Sequence, residues 1–345
     1  FVPPEGDPLV LVRKDVARAQ SESPFPIEPL PTVRDVAERI RARVGSLPRR
    51  IGVEGDVLPL DQLERLRGLL PGAELRSASV ALAKTRAVKS DYEVEQIRRA
   101  GEVVAQAVET VADHLREGVT ELELAAAIEY ELRRRGHGGL IRMRGFNQEI
   151  FYGHVFAGAT AAAPSFVDAP TGGQGLSPAL AHGASQRPIR RGEPVIVDLV
   201  GNHGGYLCDQ TRSFSLGALP EHLTRAFEVA RGILERVEEA ARPGVPASRL
   251  YELAVRAAEE SGFGDCFLGN EQKVSFVGHG IGLEVDELPF LARGFDASLE
   301  AGMVVAVEPK FIFPGEGVVG IEDTLRVTQT GVERLTLSPR ALRVV

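Results

Sequence analysis

GEPVIVDLVGNHGGYLCDQTRS, residues 192–213, decides how the rest of the chain is read. An apolar run carries Asp198 in its middle, a Gly/Asn-rich turn follows, and a second run carries Asp209. Two such runs around Asn and Gly predict an antiparallel hairpin. Aspartate is a poor strand former, so two of them inside strands need a reason. Solvent-facing acids are one reading. A pair of hard oxygen ligands aimed into one site is the other.

The downstream phrases favour the second reading. SFVGHGIGLEVDE, GMVVAVEPKFIF and GVVGIEDTLRVT are again extended, and they bring Glu308 and Glu322 in segments that otherwise read as buried strands. Between the two acid pairs lies His279, flanked by glycines that let a backbone approach closely. Convergence without cations would be costly, because two unit charges 4 Å apart repel by roughly 4 kcal/mol at an effective dielectric near 20. Such acids either protonate or bind metal. Four carboxylates balance two divalent ions, and one imidazole adds a neutral nitrogen ligand.

Between these phrases the chain repeats itself. Gly118, Val119, Leu124 and Gly136 recur as Gly244, Val245, Leu250 and Gly262, at a constant offset of 126. Gly192 precedes Asp198 by six residues, as Gly302 precedes Glu308. Residues 91–345 therefore read as two helix–helix–β halves related by a pseudo-twofold, each handing two carboxylates to the seam. Ser90 with Glu93 and Thr120 with Glu123 form capping boxes. They predict helices to about Leu115 and to near Gly136. Pro220–Arg242 and Ala247–Ser261 are also predicted helical, and 158–188 a loop. Residues 1–86 alternate short apolar runs (DPLVLV, RIGVEG) with helical patterns (VRDVAERIRARVG, LDQLERLRGLL), which suggests a small α/β unit.

VDLVGNHGGYLCDQTRSFS, GHGIGLEVDE, VVAVEPKF and GIEDTLRVT resemble the pita-bread metallopeptidases, over roughly residues 88–336. The α/β unit, read as residues 1–87, resembles an incomplete creatinase-type amino-terminal domain. It points to the aminopeptidase P/prolidase branch. The resemblance implies an α+β pita-bread catalytic domain over 88–345, a homodimer, and a dinuclear-metal hydrolase. That enzyme would cut the peptide bond before proline by a metal-bridged hydroxide. It further implies that Asp198 chelates one ion, that Asp209 and Glu322 bridge both, and that His279 and Glu308 complete the second site, with Glu308 also moving the proton. His182, in GLSPALAHGASQRPIRRGEP, matches the family's substrate histidine. A mostly carboxylate shell leans to manganese, with cobalt, zinc or iron as alternatives.

Two positions depart from the pattern. Asp286 stands where proline-specific members carry a second histidine, and Gly320 where they commonly carry arginine. Asp286 is read as capping a turn or meeting a substrate ammonium, and Arg142 and Arg144 as candidates for a substrate carboxylate. Phe146 and Tyr152 are candidates for an apolar subsite. The remaining histidines read as surface or packing residues. The departures keep open a non-peptide C–N hydrolase or lyase on the same scaffold. A non-catalytic binding protein is a weaker alternative, because all five ligands are intact.

Composition sets the outer bounds. The chain has 345 residues, 43% hydrophobic and 26% charged, which is ordinary for a globular protein. A net charge of −8 argues against a nucleic-acid-binding face. Cys208 and Cys266 are the only cysteines, which suits a reducing cytoplasm, and Cys208 reads as a small buried residue. No stretch is long enough for a membrane span, and no signal peptide is visible. The start at Phe1, inside an extended apolar phrase, is expected to reflect a truncated amino terminus.

Overall fold

The computed structural model describes residues 1–345, and the chain divides into two compact units, Phe1–Leu82 and Ala83–Val345. The first holds strands β1 (Val10–Val12), β2 (Ile27–Pro29), β3 (Arg50–Val53) and β4 (Glu74–Ser77), with helices α1 (Val16–Glu22), α2 (Val36–Val44) and α3 (Leu60–Leu69). β1 pairs parallel to β2 and β3 parallel to β4, as strand–helix–strand connections dictate. Leu9, Ala37, Ile40 and Leu70 form its small core. Helix α4 (Ser79–Ala87) crosses the division, and Ala87 packs in a core of the second unit.

The second unit opens with α5 (Asp91–Glu109), α6 (Val111–His114) and α7 (Glu121–Arg134). Both capping boxes are closed: Ser90 and Glu93 at α5, Thr120 and Glu123 at α7. The first predicted helix breaks at Thr110, whose hydroxyl donates to the Ala107 carbonyl. Strands β5 (Gly153–Ala157), β6 (Pro194–His203) and β7 (Tyr206–Ser215) follow. Helices α8 (Glu221–Ala240) and α9 (Ala247–Glu260) begin the second half. Its strands are β8 (Phe276–Ile281), β9 (Val285–Ala292), β10 (Val304–Val307), β11 (Lys310–Phe313), β12 (Gly317–Gly320) and β13 (Asp323–Val327), with β14 (Val332–Arg334) and β15 (Arg343–Val344) closing the chain.

One sheet has the order β15-β7-β6-β5 and the other β14-β13-β10-β8-β9, with β11-β12 as a separate hairpin. α5 and α7 cover the first sheet, while α8 and α9 pack on strands of the second half. α5 comes close at Gly201, where a Cβ would run into the Ala100 carbonyl. The central hairpin turns at Gly204 and Gly205, both at positive φ, as a two-residue turn requires. Its register pairs Asp198 with Thr211 and Val200 with Asp209. Strand alternation therefore puts both aspartates on one face, as diagonal neighbours.

The two halves are stitched along β7. Asp209 N–H donates to Thr324 Oγ1 and Thr324 Oγ1 donates back to the Asp209 carbonyl. Glu322 N–H reaches the Thr211 carbonyl, and Ser213 Oγ donates to the Gly320 carbonyl. Arg212 adds to the stitching: it pairs with buried Asp323 of β13 at 2.7 Å and donates to the Glu322 carbonyl. No helix is long and apolar enough to cross a membrane.

Candidate metal centre and active site

Each ligand candidate stands where a strand meets the seam. Asp198 lies in β6 and Asp209 in β7; His279 lies in β8, register-paired with Ala306 of β10. Glu308 follows β10, its N–H bonded to the Val277 carbonyl, and Glu322 sits between β12 and β13. Asp209, His279 and Glu322 offer ligand atoms all within 4.8 Å of one another. His279 Nε2 is 3.9 Å from Glu322 Oε1 and 4.0 Å from Glu308 Oε1. Its Nδ1 lies 3.1 Å from the Gly280 carbonyl, the partner of an Nδ1–H, which leaves the Nε2 lone pair for a cation.

Asp198 stands apart from that trio because a lysine has reached it. Lys310 Nζ donates to Asp198 Oδ2 and to Glu308 Oε2, both at 2.7 Å, and lies 3.6 Å from Glu322 Oε2. Burial opposes its charge, but Asp198, Glu308 and Glu322 hold its pKa well above the usual lysine value. Burial also opposes the charge on Asp198, yet Lys310 keeps that carboxyl below its ordinary range. Asp209 has no such partner. Burial, then Glu322 and Asp198, push it well above the carboxylate range. Burial pushes Glu322 up to about 8.

Buried Asp209 Oδ1 has no hydrogen-bond partner. An orphaned acceptor on one raised carboxyl group, with a second beside it, is what a cation-binding site looks like before its charge is balanced. Oxygen donors with one imidazole suit a divalent ion there. At Asp198 the fit fails, since the Lys310 ammonium already holds Oδ2 at 2.7 Å and puts its charge where a second cation would sit.

A cleft of about 800 Å³, lined by Asp286, Phe276, Phe290, Phe166, Arg144 and Lys273 among others, adjoins the cluster through Asp286, which stands beside His279. Asp286 is at φ +65°, with Oδ1 3.7 Å from His279 Nδ1. Burial raises its pKa. It stands beside the imidazole rather than capping a turn. Arg144 lines the cleft but is paired with Glu284 at 3.3 Å. Arg142 does not line it; its carbonyl accepts from Val285 N–H. Phe146 is 84% exposed and also lies outside the lining. Tyr152 packs on His137 with ring centroids 4.8 Å apart, and neither aromatic lines this cleft.

His182 is buried between rings: Phe151 stacks on it at 5.1 Å and Phe166 meets it edge-on at 5.3 Å. Its Nδ1 has no protein partner, and burial lowers its pKa. His154, one of the remaining histidines read as surface or packing residues, is buried and packs on Phe156. It is paired in register with Asp198, 5.9 Å from the His182 ring, and burial lowers its pKa to about 4. Glu121 anchors this wall, accepting from Ala157 N–H, Ser185 N–H and Ser185 Oγ, and from Thr160 Oγ1. Cys208 is buried and free, with its thiol pushed up to about 12 by burial.

Known proteins share this fold. Residues 95–329 match the model of Metallopeptidase family M24, and residues 1–88 match the Creatinase/Prolidase N-terminal domain. The chain belongs to metallopeptidase family M24. Among M24 relatives, the Xaa-Pro dipeptidase of Pyrococcus furiosus is 29% identical, over 94% of this chain and 82% of that one. The Xaa-Pro dipeptidase of Lactobacillus delbrueckii subsp. lactis is 30% identical, over 90% and 76%. The solved X-Pro aminopeptidase of Thermotoga maritima superposes with a TM-score of 0.82 at 25% identity, covering 97% of this chain and 87% of that one. The prolidase of Pyrococcus furiosus gives 0.77 at 26%, covering 95% and 87%. The fold is therefore the pita-bread fold of M24, with the creatinase-type unit before it. Lys310, His154 and Glu121 were not singled out in the sequence. The one local signal for Lys310 is a charged residue opening an otherwise apolar strand, KFIF.

Proposed function

We propose that the chain is a metal-dependent peptidase that cuts the bond before proline in Xaa-Pro dipeptides or short peptides. The observation that carries this reading is the convergence of Asp209, His279 and Glu322 beside a peptide-sized cleft. The names of the M24 relatives supply the substrate class. Of the two ions the family resemblance implies, the reading needs the one on that trio, with manganese the best match to its oxygen-rich donors. When bound, a divalent ion acidifies water and polarises the scissile carbonyl.

The chain's own groups do the rest. Lys310 holds one oxygen of Glu308, and the other stays turned toward His279, placed to carry a proton to the leaving amine. His182 stays neutral in its aromatic box and offers an N–H to the substrate or the tetrahedral intermediate. Arg144 at the cleft wall is the better placed of the two arginines to meet a substrate carboxylate. A cytoplasmic homodimer belongs to this reading, supported by the family resemblance and by two unpaired cysteines.

The test is hydrolysis of Ala-Pro and of a longer Xaa-Pro peptide, each against its Xaa-Ala counterpart, before and after chelation and metal add-back. Turnover that needs metal and prefers proline is expected, and turnover indifferent to chelation refutes the reading. A non-peptide C–N substrate is the second reading, favoured by Asp286 in place of the usual histidine. It gains if the metal-loaded protein cleaves none of the peptides.

A further inference from the structure

Lys310 and Gly320 face each other across the β11–β12 hairpin, in direct register. A Cβ on Gly320 would fall 2.6 Å from Lys310 Cγ, so the lysine stem lies over the space where a side chain at 320 would begin. The arginine expected at position 320 could not coexist with that stem. The Lys310 Cα and the Pro309 carbonyl, each 2.9 Å from that Cβ, close the position further, so glycine at 320 leaves the lysine stem its path to the carboxylates. Lys310 is 1% exposed, and its ammonium ends between Asp198 and Glu308.

An ion on Asp198 would have to sit about 2.0–2.2 Å from a carboxylate oxygen. The ammonium already occupies hydrogen-bonding distance of that group, at 2.7 Å. Two like-charged centres would then share one carboxylate in a buried site. On the other side, Asp209, His279 and Glu322 converge with Asp209 Oδ1 unpartnered, and Lys310 makes no hydrogen bond to any of the three.

We propose that Lys310 serves as a resident cation in place of one metal, so that the centre takes a single divalent ion, on Asp209, His279 and Glu322. This rests on the metal-centre reading above and not on the choice of peptide.

The test is to load the full chain with Mn²⁺, desalt it, count metal per chain by elemental analysis and record the electron paramagnetic resonance spectrum. One ion per chain with the six-line signal of an isolated Mn²⁺ is expected. Two ions, or an exchange-coupled pair, overturn the proposal but leave a metal centre standing. No ion overturns both. Asp209→Asn should weaken Mn²⁺ binding by about 100-fold or more, beyond the roughly 10–100-fold typical of an outer partner, and Asp198→Asn by less than about tenfold. Equal losses would make Asp198 a ligand and overturn the proposal. Lys310→Ala should take up a second ion; a folded variant that still binds one shows that Lys310 is not what excludes it. If that variant does not fold, the wild-type count and the two aspartate variants decide.

Discussion

Asp198 and Asp209 leave one hairpin on one face, diagonal neighbours in the same sheet, yet their carboxyl groups are driven in opposite directions. Burial acts on both. At Asp198 it is overcome by the Lys310 ammonium, and at Asp209 it is reinforced by Glu322 and Asp198. The difference teaches that backbone symmetry does not impose electrostatic symmetry. One end of the carboxylate cluster is closed by a cation built into the chain, and the other is open to one from solution. Variants at each end should therefore fail in different ways.

The largest effect is expected at the open end. His279→Ala removes the one nitrogen donor, and with it several kcal/mol of transition-state stabilisation. At 1.36 kcal/mol per decade that is about a thousandfold in kcat/KM for Ala-Pro. The variant should fold normally and lose bound metal in parallel. Full activity in His279→Ala would remove the open end from the chemistry.

At the closed end the first casualty is folding. Lys310→Met leaves Asp198 and Glu308 buried without their cation, which should cost roughly 3–5 kcal/mol in urea melts of the metal-free protein. Asp198→Asn added to Lys310→Met should recover part of that loss. Strict additivity would mean that the pair is not the source.

Much of this contrast was hidden in the sequence for a physical reason. The hairpin, both capping boxes and the five ligand candidates were legible because each rests on local periodicity, on caps a turn apart, or on a short phrase. Lys310 was not, because its meaning depends on the register that sets it opposite Gly320. His154 was hidden in the same way: only the pairing of β5 with β6 puts it over Asp198. Phe146 is not legible in this way, because an aromatic in a Gly/Asn-rich loop carries no information about which way it turns, and here it turns to solvent. Helix breaks such as that at Thr110 depend on a single back-bonded hydroxyl that the apolar periodicity does not register.

His154 sharpens the comparison through pH. Its folded-state pKa of about 4 lies below the ordinary 6.5, so between those values the unfolded chain binds a proton that the folded chain refuses. Stability therefore falls as pH drops from 6.5 to 4 and is unaffected by this group above 6.5. At about 1.4 kcal/mol per pH unit the loss reaches roughly 3 kcal/mol. His154→Phe should flatten the stability–pH curve in that window by a comparable amount. A curve unchanged in slope would show that the imidazole is protonated in place, beside Asp198.

The smallest effect is expected at Asp286, which bears on the open end through the back of His279. Its Oδ1 is 3.7 Å from Nδ1, too far for a hydrogen bond but close enough for its charge to be felt. A carboxylate behind a ligating imidazole orients the ring and raises its basicity, and loss of such a partner typically costs about 10–100-fold in metal affinity or activity. The long separation puts the expectation at the low end, about tenfold. Asp286→Asn is the variant to use, because asparagine tolerates the φ of +65° at this position, whereas alanine would add backbone strain to the lost charge. A tenfold weaker Mn²⁺ affinity with KM unchanged would assign Asp286 to the imidazole. A higher KM with metal affinity intact would assign it to the substrate ammonium, since the same carboxylate also faces the cleft.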